Sequence, residues 1–150
     1  MSQENVELVL GLYPAPDADF VPLYRDDSLW AEQAEALAPF VHADFECVMY
    51  EFGSERRYAG LDGLRAFMLD WMAPWVAYRI EIEEAIDLGD QVLLLNHDRG
   101  RREGSTQEVR GRIAAVFTIR DGKIARLDTY MTRADALRAV GLSEQDARPT

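Results

Sequence analysis

The sequence predicts an α+β fold: a cone-shaped, curved, mixed or antiparallel sheet with three to four helices packed on its concave face. Three observations predict it. Apolar residues repeat at helical spacing as far as Ala73, and after Pro74 the period shortens to about two. Two Gly-containing turns, LGDQ and RDGK, punctuate that second half. The chain has 150 residues, enough for one domain and one core. Helices followed by antiparallel strands place helices on one face of a curved sheet and leave a pocket at the open end.

The elements follow in order. Gln3 to Leu12 reads as a short helix with Ser2 as N-cap and Val6, Leu8, Val9 and Leu12 as its apolar stripe. Residues 13–27 carry three prolines and read as a loop pinned by Phe20, Val21, Leu23 and Tyr24. Ser28 to Ala38 reads as a second helix, and residues 45–51 as a short strand that turns into another near Tyr58. Leu61 to Ala73 is the clearest helix, with Leu64, Phe67, Met68 and Trp71 at helical spacing and Pro74 ending it. Long strands are predicted over 76–87, 91–101, 108–120 and 123–132. A closing helix runs from Ala134 to Val140. The domain is expected to span 1–142, with 143–150 a frayed tail.

Charge excludes several partners. The 16 Lys+Arg against 27 Asp+Glu give a net charge of −11, which argues against phosphate backbones and anionic membranes. Residues 1–75 hold 14 acids and 4 bases; residues 76–150 hold 13 and 12. The acidic excess therefore belongs to the helical half. No run of ~18 apolar residues is present to span a membrane. The acidic N-terminus lacks a signal-peptide pattern, so the expected location is cytoplasmic. A single cysteine, Cys47, and two histidines 55 positions apart leave no Cys/His metal motif. No phosphate loop or nucleophile elbow is present. No cofactor and no metal are expected, and the expected partner is a small-molecule ligand.

The segments MSQENVELV, YAGLDGLRAFMLDW, EEAIDLGDQVLLL, RGRREGS, VFTIRDGKIARL and RADALRAVGL resemble the SnoaL-like proteins of the nuclear-transport-factor-2-like superfamily. The resemblance covers residues 1–12 and 37–142. It implies a six-strand, cystatin-like roll with a conical cavity and frequent homodimers. Relatives include polyketide cyclases, ketosteroid isomerases and limonene-epoxide hydrolases, so the resemblance speaks for architecture more than for chemistry. The segment 13–36 is longer than the family's usual helix–turn and is expected to cap or fill the pocket.

Strand register then selects the candidate site. A three-residue RDGK loop with a bulge at Gly122 puts Ile113, Ala115, Phe117 and Ile119 on one apolar face with Ala125, Leu127, Thr129 and Met131. Arg110, Arg112, Arg126, Asp128 and Tyr130 take the other face. Pairing Leu88 with Gln91 puts Ile80, Ile82, Glu84 and Ile86 with Leu93, Leu95, His97 and Arg99, and this is read as the inner side. A slip of one residue reverses that assignment.

On this reading His97 is the candidate general base or donor, Arg99 the stabiliser of a developing charge, and Tyr50 a pocket donor. Asp98 and Asp128 are the alternative acid–base pair, since a carboxyl in an apolar cavity titrates near neutrality. Their register favours ion pairing on the outer face instead. Trp30, Trp71, Tyr78, Phe117, Leu127 and Thr129 are expected to line the pocket.

In ketosteroid isomerases the GSE-like segment, here residues 53–55, follows the catalytic acid. That position falls on Met49 or Tyr50, and the oxyanion-binding acid falls on Ala115, so isomerase activity of that type is not expected. The expected function is cofactor-free cyclase, isomerase or hydratase chemistry on a small organic molecule. The alternative is a non-catalytic binding or dimerisation module. Homodimers are expected to form through the outer face of the sheet.

Overall fold

The computed structural model describes residues 2–51 and 53–143, with only the backbone of Ser2. The expected tail, from 144 onward, and the side chain of the expected cap Ser2 lie outside the described residues. Among the described residues are five α-helices, a short 3-10 turn (Ala38–Phe40) and six strands: α1 (Ser2–Leu10), α2 (Phe20–Arg25), α3 (Asp27–Leu37), β1 (Val41–Glu51), β2 (Ser54–Ala59), α4 (Gly60–Met72), β3 (Ala77–Asp87), β4 (Gln91–Arg101), β5 (Glu108–Arg120), β6 (Lys123–Tyr130) and α5 (Arg133–Ala139). The strands form one sheet in the order β2-β1-β6-β5-β4-β3. β1 runs parallel to β6 and every other neighbour pair is antiparallel, so the sheet is mixed.

The segment read as a loop contains α2. Asp19 caps it by accepting from Val21 N–H at 3.0 Å, and Pro22 sits in the first turn, where a missing N–H costs nothing. Asp19 also accepts from Tyr78 N–H at 3.0 Å, tying α2 to the sheet. Its next neighbour, Asp26, caps α3 through Ser28 and Leu29 N–H.

Helices α1 to α4 cover the concave face. Val9, Phe20, Tyr24, Trp30, Phe67, Met68 and Met72 bury there against Phe45, Cys47, Leu94, Phe117 and Ile124. Full burial of such side chains contributes roughly 1.5–3 kcal/mol each. The closing helix α5 lies on the other face: Ala136 and Leu137 pack on Leu93, Leu95, Ala114 and Val116.

This placement of α5 corrects the inner-face assignment of β4. Leu93 and Leu95 are apolar because α5 covers them from outside, not because they face the cone. The LGDQ turn pairs Leu88 with Gln91 as expected. A bulge between Ile82 and Glu84 then shifts the register of β3 on β4. Ile86 and Glu84 sit opposite Leu93 and Leu95, whereas Ile82 and Ile80 sit opposite Asn96 and Asp98. The alternation Ile80, Ile82, Glu84, Ile86 hides that extra residue.

The RDGK hairpin also differs in detail. Arg120 pairs with Lys123 across a two-residue loop in which Asp121 and Gly122 have φ of 56° and 74°. Both central residues of a tight type I′ hairpin need this left-handed backbone. The bulge lies in β6, between the Ile119–Ile124 and Thr118–Arg126 pairs. Beyond it Phe117 pairs with Leu127 and Ala115 with Thr129, so those four share the inner face.

Candidate active site in the cone

Three cavities follow one another through the cone. The most apolar, about 90 Å³, is lined by groups including Phe20, Leu37, Phe45, Phe117 and Leu127. It shares Tyr13, Met68, Ile80 and Leu127 with a middle cavity of about 60 Å³, which adds Asn96, Asp98, Ala115 and Thr129. The middle cavity shares Trp71, Asp98 and Ile113 with an open mouth of about 380 Å³. The mouth carries charges of both signs, Glu51, Asp70, Arg56 and Arg110. Pockets for small organic ligands are typically about 300–1,000 Å³. Of the three, the mouth alone reaches that range.

Asp98 stands where mouth and interior meet, and its side chain is buried. Tyr78 O–H donates to Asp98 Oδ2, and Trp71 Nε1–H donates to the Tyr78 oxygen at 2.7 Å. Burial pushes the Asp98 carboxyl up to about 7; the Tyr78 hydrogen bond pulls it partly back. Burial, and then the charge of Asp98, push the Tyr78 hydroxyl well above an ordinary tyrosine, so Tyr78 keeps its proton. Asp98 Oδ1 is buried and has no hydrogen-bond partner. One oxygen is thus oriented by a donor while the other is free to exchange a proton.

The local fold explains this arrangement. Trp71 is on the last turn of α4, and Tyr78 on the second residue of β3, only seven positions later. Pro74 and Trp75 turn the chain between them. Gly100, opposite Tyr78 on β4, admits the Trp75 ring: an added Cβ would lie 2.6 Å from Trp75 Cδ2. Glycine is needed there for close approach.

The structure separates the residues grouped on the sequence. His97 and Arg99 lie on the opposite side of β4 from Asp98 and line none of these cavities. His97 sits opposite Arg112 of β5 and Glu81 of β3; Arg99 reaches Glu108 at 3.9 Å. The β3 bulge and the covering by α5 account for both displacements.

Tyr50 is also outside the cone. Its O–H donates to Asp128 Oδ1 at 2.9 Å, and its ring stacks on Tyr130 at 4.7 Å. Arg126 joins this cluster, donating from Nε to Asp128 Oδ2 at 2.9 Å and from Nη1 to Glu46 at 2.9 Å. Asp128 therefore serves an ion-paired network and lines none of these three cavities. The Asp128 hydrogen bond pushes the Arg126 guanidinium further up, and burial and Asp128 raise the Tyr130 hydroxyl to about 12.

Of the residues expected to line the pocket, Trp71, Tyr78, Phe117, Leu127 and Thr129 line one or more cavities. Trp30 does not: it is buried behind the cavity wall, stacked on Tyr24 at 5.3 Å. Tyr13, Phe20, Tyr24 and Gln33, from the 13–36 segment, do line the most apolar cavity. That segment fills the inner cone. Asn96 is the site residue that sequence reasoning missed. The apparent face of β4 concealed it. Among the described residues no three His, Cys, Asp or Glu side chains cluster to hold a metal. No helix among them is long and apolar enough to cross a membrane.

The family model for the SnoaL-like domain matches residues 23–127. The chain belongs to the SnoaL-like domain family. Solved structures agree with this SnoaL-like domain in fold. A protein described as a SnoaL-like polyketide cyclase from Jannaschia sp. CCS1 superposes with a TM-score of 0.66 at 17% identity, covering 99% of this chain and 95% of that one. An NTF2-like protein from Burkholderia xenovorans LB400 gives 0.59 at 20% identity, covering 94% and 98%. A ketosteroid-isomerase-like protein from Catenulispora acidiphila, solved with trimethylamine, gives 0.55 at 18% identity, covering 87% and 94%. These likenesses fix the fold of the SnoaL-like domain. Among curated proteins, none matches its sequence.

Proposed function

We propose that this SnoaL-like domain is a cofactor-free acid–base enzyme that moves a proton on a small organic molecule, with Asp98 as the catalytic group. The observation that carries the reading is the position of Asp98: a buried carboxyl, raised to about 7, with one oxygen held by Tyr78 and the other unpartnered at a cavity wall. A base poised near the working pH combines availability with driving force. The reaction class is proton abstraction next to a carbonyl, as in cyclisation or isomerisation. Asp98 takes the carbon-bound proton on Oδ1 and returns it to the product. Tyr78 orients the carboxyl, and Trp71 orients Tyr78. The roles expected of His97, Arg99 and Tyr50 have no geometry to support them.

Solvent deuterium exchange tests the proposal without knowledge of the natural substrate. A panel of aryl methyl ketones and cyclic 1,3-diketones is incubated in D₂O and followed by proton NMR. The protein accelerates exchange for at least one compound, the rate rises as pH passes through 7, and Asp98→Asn abolishes it. No acceleration across the panel, together with ligand binding, favours the non-catalytic module. We also propose that copies pair through the outer face carrying Arg112, Arg126, Asp128 and Tyr130, and that the protein works in the cytoplasm, where a buried free thiol such as Cys47 stays reduced.

A further inference from the structure

Asp98 is not the only unpartnered group in the cone. Asn96 lies two residues earlier on the same face of β4 and is 4% exposed. Its amide lies beside the Tyr13 hydroxyl at the same cavity, and its carbonyl oxygen is Oδ1. That oxygen is buried and has no hydrogen-bond partner. Asn96 and Asp98 both line the middle cavity, whose other walls include Phe67, Ile80, Ile113 and Leu127.

An orphaned buried acceptor costs a fold roughly 1–3 kcal/mol. A site retains it when a bound molecule supplies the missing donor. Residues two apart on one strand face are about 6.6 Å apart along the backbone. A molecule touching both Asp98 and Asn96 therefore presents two different groups a few bonds apart. Asp98 meets the carbon-bound proton; Asn96 Oδ1, an acceptor, needs an O–H or N–H. Apart from Tyr13, Trp71 and Thr129, the remaining walls of this cavity are apolar.

We infer that Asn96 Oδ1 is the built acceptor for a substrate hydroxyl, so that the cone selects enols, phenols and β-hydroxy carbonyl compounds over their O-alkylated counterparts. Asn96 is then a specificity-determining residue. The inference rests on the proposed function only in placing this hydroxyl beside the reacting carbon.

Binding without turnover tests it. Phenol and anisole, alike in shape but for the donor, are titrated against the whole protein by quenching of tryptophan fluorescence, to which Trp71 and Trp75 at the mouth report. The wild type binds phenol at least about tenfold more tightly than anisole. Asn96→Leu brings the ratio close to one, while Asp98→Asn preserves it. Equal binding of the two probes by the wild type overturns the inference. So does a preference for anisole, or a phenol preference that survives Asn96→Leu. The phenol preference retained in a protein that exchanges no deuterium would refute the role of Asp98 and leave that of Asn96 standing. Exchange without the preference would do the reverse.

Discussion

Replacing Asp98 with asparagine should stabilise the protein above neutral pH and leave it unchanged in acid. The carboxyl sits at about 7 in the fold against 3.8 in an unfolded chain. The sign follows from proton counting. Between about pH 4 and 7 the folded state holds a proton that the unfolded state has lost, so stability present in full below pH 4 drains away as pH rises. Above 7 both states are ionised and the loss is complete. Three pH units at about 1.4 kcal/mol each amount to roughly 4 kcal/mol. Asparagine is isosteric, accepts the Tyr78 O–H and never ionises. Urea unfolding of both proteins from pH 4 to 9 reads the difference, and other carboxylates cancel in it. The variant should match the wild type near pH 4 and exceed it by up to roughly 4 kcal/mol at pH 8. A difference that does not grow with pH would refute the reasoning, because it would mean that the ionised carboxyl is not penalised by burial. The same penalty is what a stability–activity trade-off leaves at a working site.

Four further outcomes are expected. Tyr78→Phe removes the donor that holds the Asp98 carboxyl down and the acceptor of Trp71 Nε1–H, so the Asp98 titration moves upward and stability falls by about 1–3 kcal/mol, read by NMR and urea unfolding. Gly100→Ala drives a methyl into the Trp75 ring and should cost about 1–3 kcal/mol with a changed near-ultraviolet circular dichroism spectrum. Arg126→Met strips the cation from Asp128, whose side chain is only 9% exposed, and should cost about 2–4 kcal/mol, partly recovered by adding Asp128→Asn. Light scattering should give a dimer mass at micromolar concentration that Arg126→Glu reduces; a monomer in the wild type would count against pairing through the outer face.

Periodicity made most of the fold legible. β4 and β5 run over the predicted residues, and α3, α4 and α5 each begin one residue before the predicted start. The inner positions Ala115, Phe117, Leu127 and Thr129 were legible because β5 and β6 alternate cleanly on that side. The face of β4 was not, for a physical reason. Leu93, Leu94 and Leu95 are all fully or almost fully buried, so hydrophobicity no longer distinguishes the side under α5 from the side in the cone. The bulge in β3 then carried the error to His97 and Arg99. The β4–β5 register, with Asn96 opposite Ile113 and Asp98 opposite Gly111, ties the two polar residues to the apolar inner row of β5. Only long-range pairing supplies that link, and single-strand alternation does not contain it. Helix α2 was hidden by Pro22, which reads as a breaker unless the cap at Asp19 is seen to place it in a first turn.

The central claim is that Asp98 is a protonatable carboxyl inside the cone at neutral pH. Carbon-13 NMR of aspartate-labelled protein, with the resonance assigned by its loss in Asp98→Asn, measures it directly. The account predicts a titration midpoint close to 7, shifted upward in Tyr78→Phe. A midpoint near 4, insensitive to Tyr78→Phe, would contradict it.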